Sequence, residues 1–368
     1  MNILEKPLKL LAKLQNKAGA VILAFFFIFT IFMGYQALGI ELESDFNELM
    51  PQHLPIFQLN DKITDELGGQ DTIFILLMLD GTRNTPVDIR HPDIMRYVVD
   101  LDKELSKESA VDSVSSVATV LGRYPALSEA VIGDAMDQYP QAASFISEDK
   151  QKTFLLVQAE VGGAEENVQR ITNMIQEKLD TFSKPAGTKV MITGTPPIRT
   201  AITDLLKSDA IYTLALASVI ILVLLFILQR SFKHGIIIFT PIFLSILWTM
   251  GTMSYLGLKL SIVTAGLGAM ILGLGVEYGV FMLTRYREEK YRKKEDSQVL
   301  EDTVKGVGSA IVGSGTTTIV GFMALTFSIM PMLQQLGQSL ALGIFYSIIA
   351  AVVVEPIIIK YLENEKTD

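Results

Sequence analysis

Six long apolar runs constrain this chain more than anything else in it. They cover residues 18–39, 209–229, 235–256, 261–284, 307–329 and 336–360 of a 368-residue sequence that is 49% hydrophobic. Each is about 20 residues or longer, enough for a helix to cross roughly 30 Å of hydrocarbon. A soluble domain of this length would distribute its apolar residues periodically; bunching them into spans marks a membrane protein. The expected fold is a membrane α-helical bundle of six transmembrane helices in a one-plus-five layout. Residues 40–208 form a large polar domain between the first span and the second.

The connectors set the orientation. Lys6, Lys9, Lys13 and Lys17 precede the first span, and Arg230 and Lys233 separate the second from the third. Arg285, Arg287, Lys290, Arg292, Lys293 and Lys294 lie in the loop 285–306 between the fourth and the fifth. By the positive-inside rule all three segments are cytoplasmic. The turns near Lys259 and Pro331 then fall outside with the polar domain, and both termini, 1–17 and the tail 361–368, fall inside. A multi-pass protein of the cell membrane is expected. Residues 1–17 place Leu8, Leu10, Leu11 and Leu14 among lysines, which suits an amphipathic helix on the inner surface or an ordinary charged flank. The first run exceeds the ~7–15 apolar residues of a secretory signal peptide and lacks a good cleavage site, so it reads as a retained span.

The polar domain reads as extracytoplasmic α+β. Strand Thr72–Leu79 precedes a helix over Pro92–Ser106, whose Ile94, Val98, Leu101 and Leu105 recur at three- to four-residue spacing. A strand over Val111–Val120 closes the first half. The second half runs from strand Thr153–Val161 through helix Glu165–Leu179, with Val168, Ile171, Ile175 and Leu179 on one face, to strand Lys189–Thr193. Two successive β-α-β units give the split order (βαββαβ) of ferredoxin-like domains. The stretch 121–149 between the halves reads as helical, either a lid over a substrate or a plain insertion.

Composition narrows the chemistry. The net charge of −9 is concentrated between Glu41 and Asp209, and no basic face suits nucleic acid. The absence of cysteine removes disulfides and thiolate metal sites. His53, His91 and His234 are far apart. No nucleophile–His–acid set, phosphate loop or metal cluster appears, so neither an enzyme nor a cofactor is expected. The glycine-rich fourth run lies inside a membrane span, not after a strand, and is not a dinucleotide loop.

Glu277 interrupts that fourth run. A carboxylate at membrane depth costs about 2.5–3.5 kcal/mol on insertion scales, and its default reading is an ion or proton site. Small residues let membrane helices approach closely. Gly268, Gly273, Gly275 and Gly279 are therefore expected to pack this span centrally and to enclose Glu277. Tyr278 is adjacent and either donates a hydrogen bond or packs. No Lys or Arg lies mid-span, so the available partners are the hydroxyls of Ser314, Thr316, Thr317 and Thr318 in the fifth run. These either complete a proton or ion relay with Glu277 and Tyr278 or bond back to their own helix; the relay is the expectation, with H⁺ and Na⁺ both open. A Glu that only bonds a neighbouring helix is the plainer alternative. Glu355, followed by Pro356 near the inner end of the sixth run, is expected to snorkel to the interface in an anchoring or kink-associated role.

Several segments carry a family resemblance. They are Gly273-Leu274-Gly275-Val276-Glu277-Tyr278-Gly279 with Arg285-Tyr286-Arg287-Glu288-Glu289, then Gly315-Thr316-Thr317-Thr318 with Gly321-Phe322, and Gly194-Thr195-Pro196-Pro197. Together they resemble the resistance–nodulation–division (RND) superfamily, in its hydrophobe-exporter branch, the MMPL family and Patched-type sterol-sensing proteins. The resemblance implies a porter-type outer domain and proton-coupled export or relocation of hydrophobic, lipid-like molecules. It assigns the proton-carrying acid to Glu277, with Tyr278 beside it. Two departures stand out: the family acid is usually Asp, and Phe281 occupies a position where some relatives carry His. Typical members contain two six-span halves, so a single half implies a homodimer, or pairing with a second half, in which the fourth spans face each other. An accessory factor of protein export like SecD and SecF, and a lipid- or sterol-sensing protein that does not pump, are the competing readings.

Overall fold

The computed structural model describes residues 4–44, 48–56, 58, 72–81, 86–124, 127–159, 161, 165–292 and 295–364. Lys293 and Lys294 lie outside these. In chain order the principal elements begin with helix α1 (Glu5–Ala37) and the short strand β1 (Leu42–Glu43). Next come β2 (Thr72–Leu79), α2 (Pro92–Leu105), β3 (Val111–Ser115), β4 (Lys152–Ala159), α3 (Glu165–Thr181) and β5 (Thr188–Gly194). The last group is α4 (Thr195–Gln229), α5 (Phe232–Tyr255), β6 (Leu260–Ser261), α6 (Leu267–Tyr291), α7 (Asp296–Met323) and α8 (Pro331–Ile349). A π-helical turn (Ala350–Val354) joins α8 to α9 (Glu355–Asn364). Contacts divide the chain into two units, 1–51 with 205–368, and 52–204.

The first unit is the helical bundle. Six helical stretches among the described residues are long and apolar enough to cross a membrane, which makes this a multi-pass membrane protein. Helices α5, α6 and α8 supply its interior through residues such as Ile238, Ile242, Ile271, Leu272 and Ile344. Helices α1 and α4 turn residues such as Phe27, Ile28, Val219 and Ile220 outward. Trp248, wholly buried, ties α1 to α5: it stacks on Phe26 at 5.2 Å between centroids, and its Nε1 donates to Thr30 Oγ1 at 2.9 Å.

Helix ends depart from the hydropathy boundaries for identifiable reasons. The basic N-terminal stretch is helical from Glu5 and meets the span at Ala18, where φ −128° and ψ 28° break the helix. Its Leu8 reaches Gly308 of α7, and Lys305 pairs with Glu5 at 2.7 Å. The segment 285–306, expected as a loop, is mostly helix. Arg285 bonds Glu289 at 2.6 Å and Glu288 at 3.3 Å, and Arg292 bonds Glu289 at 3.0 Å. These i,i+3 and i,i+4 pairs carry α6 past the end of its apolar run. The fourth span begins later than hydropathy suggests. Leu260 and Ser261 pair in parallel with Leu42 and Glu43, and the Ser261 amide donates to Thr264 Oγ1 at 2.7 Å, so helix starts only at Leu267.

The second unit is an α+β domain. Its four-stranded sheet has the order β3-β4-β2-β5, antiparallel throughout. Ile73, Ile75, Leu77, Leu155 and Val157 point from β2 and β4 into a core shared with Ile94, Val98, Leu101 and Leu105 of α2 and Val168, Ile171, Ile175 and Leu179 of α3. Strand β3 stops at Ser115, short of the expected Val120. Ser116 Oγ donates to Asp102 Oδ2 at 2.5 Å and accepts from the Ala118 amide at 3.0 Å, a local turn that competes with strand. The stretch 121–149 is part of the core: Ile132, Ala135, Met136 and Ala142 are buried in it. Gly194 ends β5 at φ +118°, and a Cβ there would lie 2.2 Å from the Thr72 carbonyl oxygen, so only glycine fits. Pro196 and Pro197 follow in the first turn of α4, where amide donors have no intrahelical partner to lose.

Candidate functional site: two carboxyls in the bundle

Helix α6 has two faces of opposite character. Leu267, Gly268, Ile271, Leu272, Gly275, Tyr278, Gly279, Met282 and Leu283 are buried. Met270, Gly273, Leu274, Glu277 and Phe281 are exposed. The 3.6-residue period separates the two sets cleanly. A single chain therefore does not enclose Glu277, contrary to the expectation from its glycines. No hydrogen bond or ion pair joins Glu277 to another described residue.

The glycines divide in the same way. A Cβ at Gly268 would meet Leu214 of α4 at 3.0 Å, one at Gly275 would meet Ser347 Oγ of α8 at 3.0 Å, and one at Gly279 would meet Ile238 of α5 at 3.0 Å. These three let neighbouring helices close in. Gly273 has nothing within 4 Å; within the chain it packs against nothing. It lies one turn before Glu277 on the same exposed face.

Tyr278 turns the other way. It is 2% exposed, it lies beside Thr318, and a Cβ at Gly315 would stand 3.3 Å from its hydroxyl. The hydroxyl set is not assembled around Glu277. Thr316 Oγ1 donates to the Val312 carbonyl at 2.6 Å, and Thr317 and Thr318 donate to the Ser314 carbonyl at 2.6 and 3.1 Å. Each threonine thus satisfies its donor on its own helix, the backbone alternative considered above. Their lone pairs stay available, and Gly313, Ser314, Thr316, Thr317 and Gly321 are exposed on α7, next to α6. The exposed face of α6 thus carries Glu277 and Gly273 among Met270, Leu274 and Phe281, and the neighbouring α7 exposes small and hydroxylic residues.

Glu355 corrects the sequence expectation most sharply. It does not snorkel: its relative exposure is 0%, and neither carboxyl oxygen has a hydrogen-bond partner. Its Oε1 lies 3.3 Å from the Cβ position of Gly279, on the inner side of α6. The signal was present in the sequence. Leu340, Ile344, Ser347 and Ala351, among the buried positions of the sixth span, recur at three- to four-residue spacing, and the next step of four is Glu355. Local backbone chemistry is unusual here as well. The π turn precedes Glu355, and Pro356 has no amide to offer the Val352 carbonyl. Gln15 of α1 supplies the missing donor: its Nε2 bonds the Val352 oxygen at 2.8 Å and the Val353 oxygen at 3.0 Å.

Two further features complete the bundle. At the α9 end, His234 Nε2 and Glu363 Oε1 are 3.0 Å apart and Lys290 Nζ donates to the Glu363 carbonyl at 2.8 Å. Leu256, Leu258, Ile319, Met323, Leu342 and Phe345 line an open, almost wholly apolar groove of about 480 Å³. Among the described residues no group of three His, Asp or Glu side chains is arranged to hold a metal ion.

The comparisons with known proteins agree with this architecture. The MMPL family profile matches residues 48–365, and the chain belongs to the MMPL family of the RND superfamily. A protein of Methanocaldococcus jannaschii, whose name says no more than membrane protein, is 28% identical over 98% of this chain and 95% of its own length. The siderophore exporter MmpL5 of Mycobacterium tuberculosis is 25% identical over 53% of this chain and 20% of its own length. The apo-petrobactin exporter of Bacillus anthracis is 26% identical over 52% of this chain and 27% of its own length. Against those two exporters the chain is thus a fragment-sized match, whereas the archaeal protein is matched nearly end to end.

Proposed function

We propose that this protein is a proton-coupled transporter that exports or relocates hydrophobic or amphiphilic molecules, and that it works as a homodimer. The carrying observation is the position of Glu277. A carboxylate on the exposed face of a membrane helix costs about 2.5–3.5 kcal/mol against lipid. The open space at Gly273 and the small, hydroxylic surface of α7 offer a close-packing face beside it. A second copy applied to that face covers the acid and brings two fourth spans together about a twofold axis. Thr316, Thr317, Thr318 and Ser314 then face the paired carboxyls as acceptors, with Tyr278 behind them, and the cycle of charging and discharging at Glu277 drives transport.

The names of the two exporters support transport as the activity, and the apolar groove beside Leu342 and Phe345 supports a lipid-like cargo. We read the βαββαβ order of residues 52–204 as a ferredoxin-like, porter-type domain on the outer side of the cell membrane, with both termini cytoplasmic by the distribution of Lys and Arg. The test is flux of a fluorescent lipid analogue in proteoliposomes under an imposed proton gradient. Gradient-dependent flux is expected in the native protein and its loss in Glu277→Gln. Equal flux in both refutes the coupling; binding of the lipid without flux in either identifies a sensor.

A further inference from the structure

We propose that Glu355 is a second proton-binding site of the membrane unit, separate from Glu277, which holds its proton as a neutral carboxylic acid inside the closed bundle. Glu355 is fully buried, both of its oxygens lack a protein hydrogen-bond partner, and it abuts the backbone of α6 at Gly279. An ionised carboxylate cannot sit unpaired in such surroundings without a penalty of several kcal/mol, and the group neutralises instead.

No neighbouring charge relieves this. On α1 the buried side is Leu8, Ala12, Gln15 and Gly19, with no titratable group. On α7 it is Gly308, Ile311 and Gly315, again with none. On α5 the first titratable side chain is His234, one turn from Ile238 and engaged with Glu363. On α6, Tyr278 turns its hydroxyl toward Gly315, Tyr286 lies two turns from Gly279, and Glu289 is held by Arg285 and Arg292. On α9 itself, Lys360 bonds Asn16 at 2.9 Å. Binding is therefore a simple protonation: one proton from hydronium adds to the carboxylate, leaving water and the uncharged acid.

The same residue sits where the helix is built to yield. π turns and prolines are the usual places where helices kink, and π turns are frequent at functional sites. Here a side chain from another helix, Gln15, holds the Val352 carbonyl that Pro356 leaves free, and the Val353 carbonyl beside it. Movement of that joint would expose Glu355 and let the proton leave. The site does not depend on the role proposed for Glu277, and its test is independent of transport.

The experiment is infrared difference spectroscopy of the full chain in lipid vesicles. A protonated carboxyl carbonyl band, shifted by deuterium oxide, is expected at neutral pH. It should be lost in Glu355→Gln and retained in Glu277→Gln. No band in the native protein at neutral pH, or a band of undiminished intensity in Glu355→Gln, overturns the proposal. Glu355→Met, apolar and of similar length, guards against a merely structural role. It is expected to fold with stability equal to or above that of the native chain; a clear loss of thermal stability in this variant would identify a structural acid and likewise overturn the proposal.

Discussion

Gly273 and Gly279 lie on one helix and differ only in what surrounds them, which makes alanine a calibrated probe. Replacing a helical glycine by alanine gains about 0.5–1 kcal/mol from the reduced backbone freedom of the unfolded chain. At Gly273 nothing lies within 4 Å of the new methyl, so that gain stands alone, and the isolated monomer should be stabilised by about that amount. At Gly279 the methyl meets Ile238 Cγ2 at 3.0 Å, the Ile238 carbonyl at 3.1 Å and Glu355 Oε1 at 3.3 Å. Overpacking of this kind costs about 1–3 kcal/mol, so the net change is a loss of up to about 2.5 kcal/mol once the propensity gain is subtracted. The two variants should move in opposite directions in reversible denaturant titrations of monomeric protein in detergent. Association adds a second measurement. In a dimer each copy contributes one Gly273, so Gly273→Leu should weaken pairing at least about tenfold, one such clash being worth about 1.4 kcal/mol or more, while leaving the monomer folded. Equal destabilisation of the monomer by Gly273→Ala and Gly279→Ala would refute the assignment of the two faces. Undiminished dimerisation of Gly273→Leu would refute the pairing surface.

Two other perturbations probe the polar parts of the chain. Arg199 is 7% exposed at its side chain and donates to Glu165 Oε1 from Nη2 at 2.5 Å and from Nε at 3.1 Å. Arg199→Met leaves that carboxylate without its guanidinium and should cost about 1–3 kcal/mol in denaturant unfolding, whereas changing both residues to apolar ones should recover most of it. Burial disfavours the Lys259 ammonium, but its bonds to Glu43 at 2.7 Å and Glu48 at 2.9 Å outweigh that and hold its pKa above the ordinary lysine range. A raised amine contributes stability that is complete below about pH 10.4 and is lost as pH rises through the higher folded value. Hydrogen exchange at Leu260, whose amide donates to the Glu41 carbonyl at 2.8 Å, should therefore, after correction for intrinsic rate, be flat from neutral to moderately alkaline pH in the native chain and faster throughout in Lys259→Met.

The bundle was legible in the sequence because lipid imposes its demand on contiguous residues: about 20 apolar residues in a row can be counted without knowing what they touch. The α2 and α3 faces were legible for a related reason, since Val168, Ile171, Ile175 and Leu179 carry their spacing with them. Helix ends were less so, because hydropathy reports where the apolar run stops, and the ion pairs of Arg285 and Arg292 with Glu289 carry α6 beyond that point. Strand β3 was overextended because Ser116 ends it through a bond to Asp102, fourteen residues away in sequence and invisible to local pattern. The candidate site divided in the same manner. Residue types and helical phase gave Glu277 and the glycines, but hydrophobicity cannot separate a face that meets lipid from one that meets a second copy, and glycine is compatible with both. Glu355 lies near a span end, where hydropathy alone suggests snorkelling, but its helical phase, four residues after Ala351 and eight after Ser347, puts it inside.

The two acids are related through a single helix. Glu277 and Gly279 are two residues apart, about 200° around α6 and about 3 Å along it. Glu355 touches Gly279, so both carboxyls lie at nearly the same height on opposite sides of one helix. A static scaffold gains nothing from either. An apolar residue at 277 would remove an insertion penalty of about 2.5–3.5 kcal/mol, and one at 355 would remove an unsatisfied buried acid, a replacement that is commonly neutral or stabilising. Packing is a poor reason for both, since Glu277 is exposed on α6 and both Glu355 oxygens are buried without a hydrogen-bond partner. Burial without a partner is what a packing role would avoid, and it is the arrangement that the proton site proposed at Glu355 requires.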